Sequence, residues 1–179
     1  MSFINIAFTF GRNTFVFILK MKKAIFLDRD GVINFEKKDY VKSVEEFQII
    51  DDVPKAIAEL KKKGFLIIII TNQSAINRGL LTIKILNKIH NNLQEILKDE
   101  NTAIDDFYFC PHRPNENCLC RKPKPGLILQ AVKHHKIDLK NSFFIGDSKT
   151  DMEAAEAAGC KNILLRNNQK LIDIVRNYF

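Results

Sequence analysis

From residue 21 onward the chain alternates short apolar runs with longer stretches whose apolar positions recur every three or four residues. The runs AIFL at 24–27 and FLIIII at 65–70 are continuously apolar, the pattern of strands covered on both faces. Shorter runs at 107–109, 143–145 and 163–165 have the same character. Helical stretches are expected between them. One covers 54–63, with Pro54 at its start and Gly64 beyond its end, an arrangement that suits both residues. A second covers 83–98, capped by Thr82, and a third 126–135. The last covers 152–158, opened by Asp151 and stopped by Gly159. This alternation predicts an α/β fold: a doubly wound, Rossmann-like parallel sheet with helices on both faces. A proline-punctuated loop is inserted at 110–125.

The first twenty residues, MSFINIAFTFGRNTFVFILK, stand outside this pattern. They are apolar and aromatic, yet no basic segment precedes the apolar run, Arg12 interrupts it, and no small-residue cleavage site follows. The run is also too short and broken for a membrane span of ordinary length. MKKAIFLDRDG, beginning at Met21, reads as a natural protein start. The domain is therefore expected over 21–179, with 1–20 as an upstream extension that is not part of the native protein. A membrane anchor is the main alternative.

Composition narrows the class. A chain of 179 residues, 46% hydrophobic and 27% charged, fits one soluble domain with a real core. Of its 4 cysteines, Cys160 sits alone, which argues against a disulfide scaffold and for the reducing cytoplasm. The net charge is +7, or +5 once Arg12 and Lys20 are set aside. That balance suits phosphate-bearing ligands and permits nucleic acid without demanding it. No aromatic residues interleave with a basic groove, so a nucleic-acid partner is not expected.

Ligands of such sheets bind beyond the carboxyl ends of the strands, so the residues there carry the chemistry. After the first expected strand comes DRDG, with Asp28 and Asp30 two apart. Carboxylates at a buried strand end are costly unless something pairs with them. After the second comes TNQS, Thr71 to Ser74, whose hydroxyls and amides can serve either a phosphoryl oxygen or a helix cap. RKPKPG supplies Arg121, Lys122 and Lys124 on a stiffened segment, and GDSKTD supplies Asp147 and Asp151. Asp151 is read as a helix cap. Acids gathered at one sheet edge repel unless a cation neutralises them, and hard oxygen donors describe Mg²⁺. With a lysine beside them they form a phosphoryl-transfer constellation.

The inserted loop concentrates three cysteines and a histidine as Cys110-x-His112 and Cys118-x-Cys120. This is the Cys₃His donor set of a closed structural zinc site, with no position left for catalysis. A redox pair is the alternative, although C-x-C is not the thioredoxin spacing.

DRDGVIN, TNQSAINRG, RKPKPG and GDSKTD resemble, in order, the four motifs of the haloacid dehalogenase superfamily of phosphatases. Their wording and the cysteine loop are similar to the heptose bisphosphate phosphatases, over about 23–166. The resemblance implies an aspartyl-phosphate mechanism. Asp28 would be the nucleophile, and Asp30 the acid toward the leaving sugar oxygen and then the base toward water. Mg²⁺ would be held by Asp28, the Asp30 carbonyl and Asp147. Thr71 and Lys122 would stabilise the phosphoryl group, and Asn72, Gln73, Ser74, Arg121 and the loop 36–40 with Tyr40 would meet substrate. Zinc on Cys110, His112, Cys118 and Cys120 would order the loop and aim Arg121 and Lys122. Two departures bear on substrate contacts. The loop before Tyr40 is one residue longer, and Ser148 stands where the family is expected to carry lysine.

The implied activity is removal of the 7-phosphate from a heptose 1,7-bisphosphate by a cytoplasmic monomer, for lipopolysaccharide-core sugar synthesis. Histidinol-phosphate phosphatase is the nearest alternative, and a nucleic-acid 3′-phosphatase or a non-catalytic zinc module are remoter ones.

Overall fold

The computed structural model describes residues 3–10, 13–166 and 168–179. A first pair of strands, β1 (Phe3–Phe10) and β2 (Asn13–Lys20), runs antiparallel, with Phe3 opposite Lys20 and Phe10 opposite Asn13. The segment set aside in the sequence is thus a hairpin. Among the described residues no helix is long and apolar enough to cross a membrane.

The main body is a five-stranded parallel sheet. Its strands are β3 (Ala24–Leu27), β4 (Leu66–Asn72), β5 (Asp106–Cys110), β6 (Phe143–Gly146) and β7 (Lys161–Leu164), in the spatial order β5-β4-β3-β6-β7. The chain builds outward from β3 to β5, then crosses to the other side of β3 to lay down β6 and β7. This reversal opens a crevice at the carboxyl end of the central strand, where such sheets bind ligands.

Helices α1 (Val53–Lys62), α2 (Ile83–Lys98) and α5 (Leu171–Tyr178) cover one face, and α3 (Gly126–His135) and α4 (Lys149–Ala158) the other. Strand side chains alternate between the two cores. Ile25, Leu27, Ile67 and Ile69 pack under α1 and α2, while Ala24, Phe26, Ile68 and Ile70 pack under α3 and α4. All eight are fully buried, and each large aliphatic so buried stabilises the fold by about 1.5–3 kcal/mol. The unbroken apolar runs in the sequence reflect this two-sided cover.

Four elements depart from expectation, among them β7, which starts at Lys161 and ends at Leu164 rather than covering 163–165. Strand β4 extends two residues further, because Thr71 and Asn72 still pair with Phe109 and Cys110 of β5. Helix α4 starts at Lys149 rather than at Met152. Its cap is Ser148, whose hydroxyl accepts the Asp151 N–H, so Asp151 is the third helical residue and not the opener. Helix α5 has no counterpart in the sequence reading. It buries Leu171, Ile172, Ile174 and Val175 beside α1, and Phe179 packs edge-on against Phe65.

Candidate active site

The ends of β3, β4 and β6 and the segment entering α3 line one cavity of about 640 Å³. Asp28, Asp30, Tyr40, Thr71, Asn72, Gln73, Lys122 and Asp147 all face it, as do Lys37, Lys38 and Ser148. A larger hollow of about 890 Å³ lies at the opposite end of the sheet, around Met21–Lys23 and Gly64–Leu66, and none of the motif residues lines it.

Lys122 is the hub. It is nearly fully buried, and its Nζ lies 2.6 Å from Asp151 and 2.9 Å from Asp28. It also donates to the Ile70 carbonyl at 2.9 Å, so all three donors are engaged. Burial alone would favour the neutral amine, but the charges of Asp28 and Asp151 reverse this and raise its pKa. Asn72 fixes the lysine's backbone from across the cavity. Its Oδ1 accepts the Lys122 N–H at 3.1 Å, and its Nδ2 donates to the Lys122 carbonyl at 3.2 Å. Asn72, expected to meet substrate, lines the cavity and also positions this cation.

Asp28 stands at the end of β3, with the Arg29 N–H donating to its Oδ1 at 2.7 Å. Burial lifts its carboxyl to about 7; Lys122 opposes the shift, and Asp151 and Asp30 add to it. Asp147, at the exposed rim, is raised to about 6 by desolvation and by the charge of Asp151. Gly31 turns the chain here at φ +84°, and a Cβ on it would run into the Asp147 carboxylate. Glycine is required on both counts.

Asp30 is held by three side chains. Arg29 donates through Nη2 at 2.8 and 2.9 Å, Asn34 at 3.0 Å and Gln73 at 2.9 Å. Gln73 also donates to Thr71 Oγ1 at 2.9 Å, which ties the two motif ends together. Four carboxylates, Asp28, Asp30, Asp147 and Asp151, thus face two side-chain cations, Arg29 and Lys122. The oxygen-only donors of Asp28 and Asp147 fit a hard divalent ion. Asp151 approaches both closely. Its oxygens, however, already serve Lys122 and the Ser148 N–H and hydroxyl.

Two residues expected to meet substrate do not line this cavity. Ser74 is buried and does not line the cavity. Arg121 donates to the His112 carbonyl at 3.2 Å and lines an adjoining basic hollow of about 280 Å³ with Arg113, Lys124 and Thr150. The departure at Ser148 has a structural account: its hydroxyl caps α4 and donates to Asp151 at 2.7 Å. The sequence reading missed Asp151 as the buried partner of Lys122 and Arg29 as the anchor of Asp30. The S-x-x-D spacing of Ser148 and Asp151 was the available signal, since such a box turns the acid back onto the cap residue's N–H at a helix start.

The cysteine loop leaves β5 at Cys110. Cys110 Sγ lies 3.6 Å from Cys118 and 3.3 Å from Cys120, and those two lie 3.4 Å apart. His112 Nδ1 is 3.5 Å from Cys110 and 3.3 Å from Cys120. Zinc–sulfur and zinc–nitrogen bonds in a tetrahedron imply edges of about 3.5–3.8 Å, so the four donors fit such an ion. All four cysteines of the chain are free thiols. Burial pushes Cys110 well above its ordinary range. Against its own burial, hydrogen bonds from Cys120 and the Arg121 N–H hold Cys118 down to about 7.

Residues 21–159 match the family model described as haloacid dehalogenase-like hydrolase. The D-glycero-beta-D-manno-heptose-1,7-bisphosphate 7-phosphatase of Helicobacter pylori (strain J99) is 45% identical over 155 residues, 86% of this chain and 88% of that protein. The enzyme of the same name from Pseudomonas putida is 40% identical, over 82% and 84% of the two chains. Among solved structures, the D,D-heptose 1,7-bisphosphate phosphatase of B. bronchiseptica, complexed with magnesium and phosphate, superimposes with a TM-score of 0.80. It is 32% identical and covers 86% of this chain and 96% of its own. The chain belongs to the haloacid dehalogenase-like hydrolases.

Proposed function

We propose that the protein is a Mg²⁺-dependent phosphatase that removes the 7-phosphate of D-glycero-D-manno-heptose 1,7-bisphosphate through an aspartyl-phosphate intermediate. One observation carries the chemistry: Asp28, Asp30 and Lys122 meet in a single cavity, with Lys122 Nζ 2.9 Å from Asp28. The substrate rests on relatives of 38–47% identity that bear this name.

Asp28 attacks the phosphorus in line with the departing sugar oxygen, which takes a proton from Asp30. Asp30 then draws a proton from water as that water attacks the acyl-phosphate, releasing phosphate and restoring Asp28. Lys122 and the Thr71 hydroxyl steady the negative charge on the transferring oxygens. Arg29, Asn34 and Gln73 hold the Asp30 carboxyl at the mouth of the reaction path. Asp28, the Asp30 carbonyl and Asp147 would hold Mg²⁺, which supplies charge neutralisation and keeps Asp28 ionised. Zinc on Cys110, His112, Cys118 and Cys120 would have a structural role, ordering the loop that leads into Arg121 and Lys122. The phosphatase unit begins at Met21, where the family match also begins, and acts as a cytoplasmic monomer on a small sugar phosphate in lipopolysaccharide-core synthesis.

The test is phosphate release from heptose 1,7-bisphosphate, histidinol phosphate and a 3′-phosphorylated oligonucleotide, with ³¹P NMR of the sugar product. Heptose bisphosphate should have the highest kcat/KM and lose only its 7-phosphate. A preference for histidinol phosphate, or loss of the 1-phosphate, would overturn the reading.

A further inference from the structure

At the end of the sheet away from the phosphoryl cavity, β5 begins with Asp106 and α3 ends with His134 and His135. The three side chains converge. His135 Nε2 lies 2.8 Å from Asp106 Oδ2, and His134 Nδ1 lies 3.6 Å from the same oxygen. His134 Nδ1 is also 2.9 Å from the Tyr108 hydroxyl. Neighbouring side chains on a helix point about 100° apart, so two consecutive imidazoles ordinarily diverge. Here their rings lie 4.6 Å apart and both nitrogens turn to one carboxylate oxygen.

Several features suit a cation. The other Asp106 oxygen accepts the Phe107 N–H at 2.8 Å, which fixes the carboxylate and leaves Oδ2 toward the histidines. The last turn of α3 carries the negative end of the helix dipole, which favours positive charge. One ligand atom from each of the three side chains lies within 4.8 Å of the others, near enough for one ion to reach all three. His134 is 69% exposed, so water can complete the coordination and the ion can exchange. Two imidazoles and a carboxylate are borderline donors of the kind that take zinc rather than Mg²⁺.

We propose that Asp106, His134 and His135 form a surface site for a divalent zinc ion, separate from the cysteine loop and from the phosphoryl cavity. The full-length protein, already carrying zinc in its cysteine loop and kept in excess Mg²⁺ to occupy the carboxylate cluster, is titrated with ZnCl₂ in a calorimeter. About one further equivalent should bind. Its affinity should fall at least about tenfold in Asp106→Asn and in His135→Ala, while phosphatase turnover stays at the wild-type level and reports an intact fold. Absence of a further equivalent, or equal uptake by wild type and both variants, would overturn the site. Should either variant lose turnover, His134→Ala decides. Its side chain is mostly solvent-exposed, and wild-type uptake there would equally refute the proposal.

Discussion

Asp151 and Lys122 form a buried ion pair at 2.6 Å, with Asp151 fully shielded from solvent and Lys122 nearly so. The acid is fixed at the first turn of α4 by Ser148, so a helix cap also sets the place of the charge that faces the phosphoryl group. Without Asp151, Lys122 stays buried with Asp28 as its remaining carboxylate, so the cost should be below the figure of about 3–5 kcal/mol for a fully unpaired buried charge. Asp151→Ala should therefore lower Tm in thermal unfolding and reduce kcat as Lys122 loses its anchor. A wild-type Tm in that variant would show the pair to be unimportant.

Asp28→Asn keeps the shape of the side chain and removes the attacking charge. Turnover should drop to background while the far-ultraviolet circular dichroism is retained. Asp30→Asn should cost about 10²–10⁴ in kcat, the usual worth of a positioned acid–base group. Measurable turnover by Asp28→Asn would exclude the aspartyl-phosphate route.

Burial raises Asp28 to about 7 and Asp147 to about 6, both from 3.8. Carboxyls raised by folding hold protons more tightly in the native state, so their contribution to stability is full below pH 4. It is lost as pH rises through 6 to 7. A divalent ion displaces those protons. The gain in Tm on adding Mg²⁺ should accordingly be larger at pH 7.5 than at pH 5.5, with protons released on binding at the lower pH. Equal gains at the two pH values would count against ligation by these two acids. EDTA should abolish activity, and added Mg²⁺ should restore it.

Zinc in the cysteine loop should survive gel filtration at about one ion per chain, because three thiolates and an imidazole hold it tightly. Zinc peptides of this kind bind with about 10–16 kcal/mol. Cys118→Ser should release or weaken the ion and loosen 110–121. Arg121, bonded to the His112 carbonyl, would lose its place and KM should rise. Lys122 is clamped independently by Asn72, so kcat should fall less. Unchanged metal content and kinetics in Cys118→Ser would refute a structural zinc role.

A chain starting at Met21 should fold and match the full-length protein in kcat/KM. The full-length protein should aggregate more readily, since residues 3–19 are dense in phenylalanine and isoleucine and exposed apolar stretches associate. Loss of folding on truncation would show that the hairpin is integral to the domain.

Residue order alone determined the parallel α/β architecture, because strands covered on both faces must be apolar throughout, and AIFL and FLIIII have that character. It also placed Asp28 and Thr71 at or near the carboxyl ends of strands, since each follows a run with no room for charge. The cluster of Cys110, His112, Cys118 and Cys120 was legible because cysteine and histidine at close spacing have few other uses. Tertiary structure decided what each of these residues touches. Asn72 and Asp151 look like a substrate contact and a helix cap in one dimension. They become supports of Lys122 because the chain returns from 50 residues beyond Asn72 to lay that lysine between them. Helix α5 was hidden for a related reason: an eight-residue amphipathic stretch is marginal by itself, and only the apolar surface of α1 and Phe65 makes it stable. Local pattern reports what a segment can bury; which partners it meets depends on contacts distant in sequence.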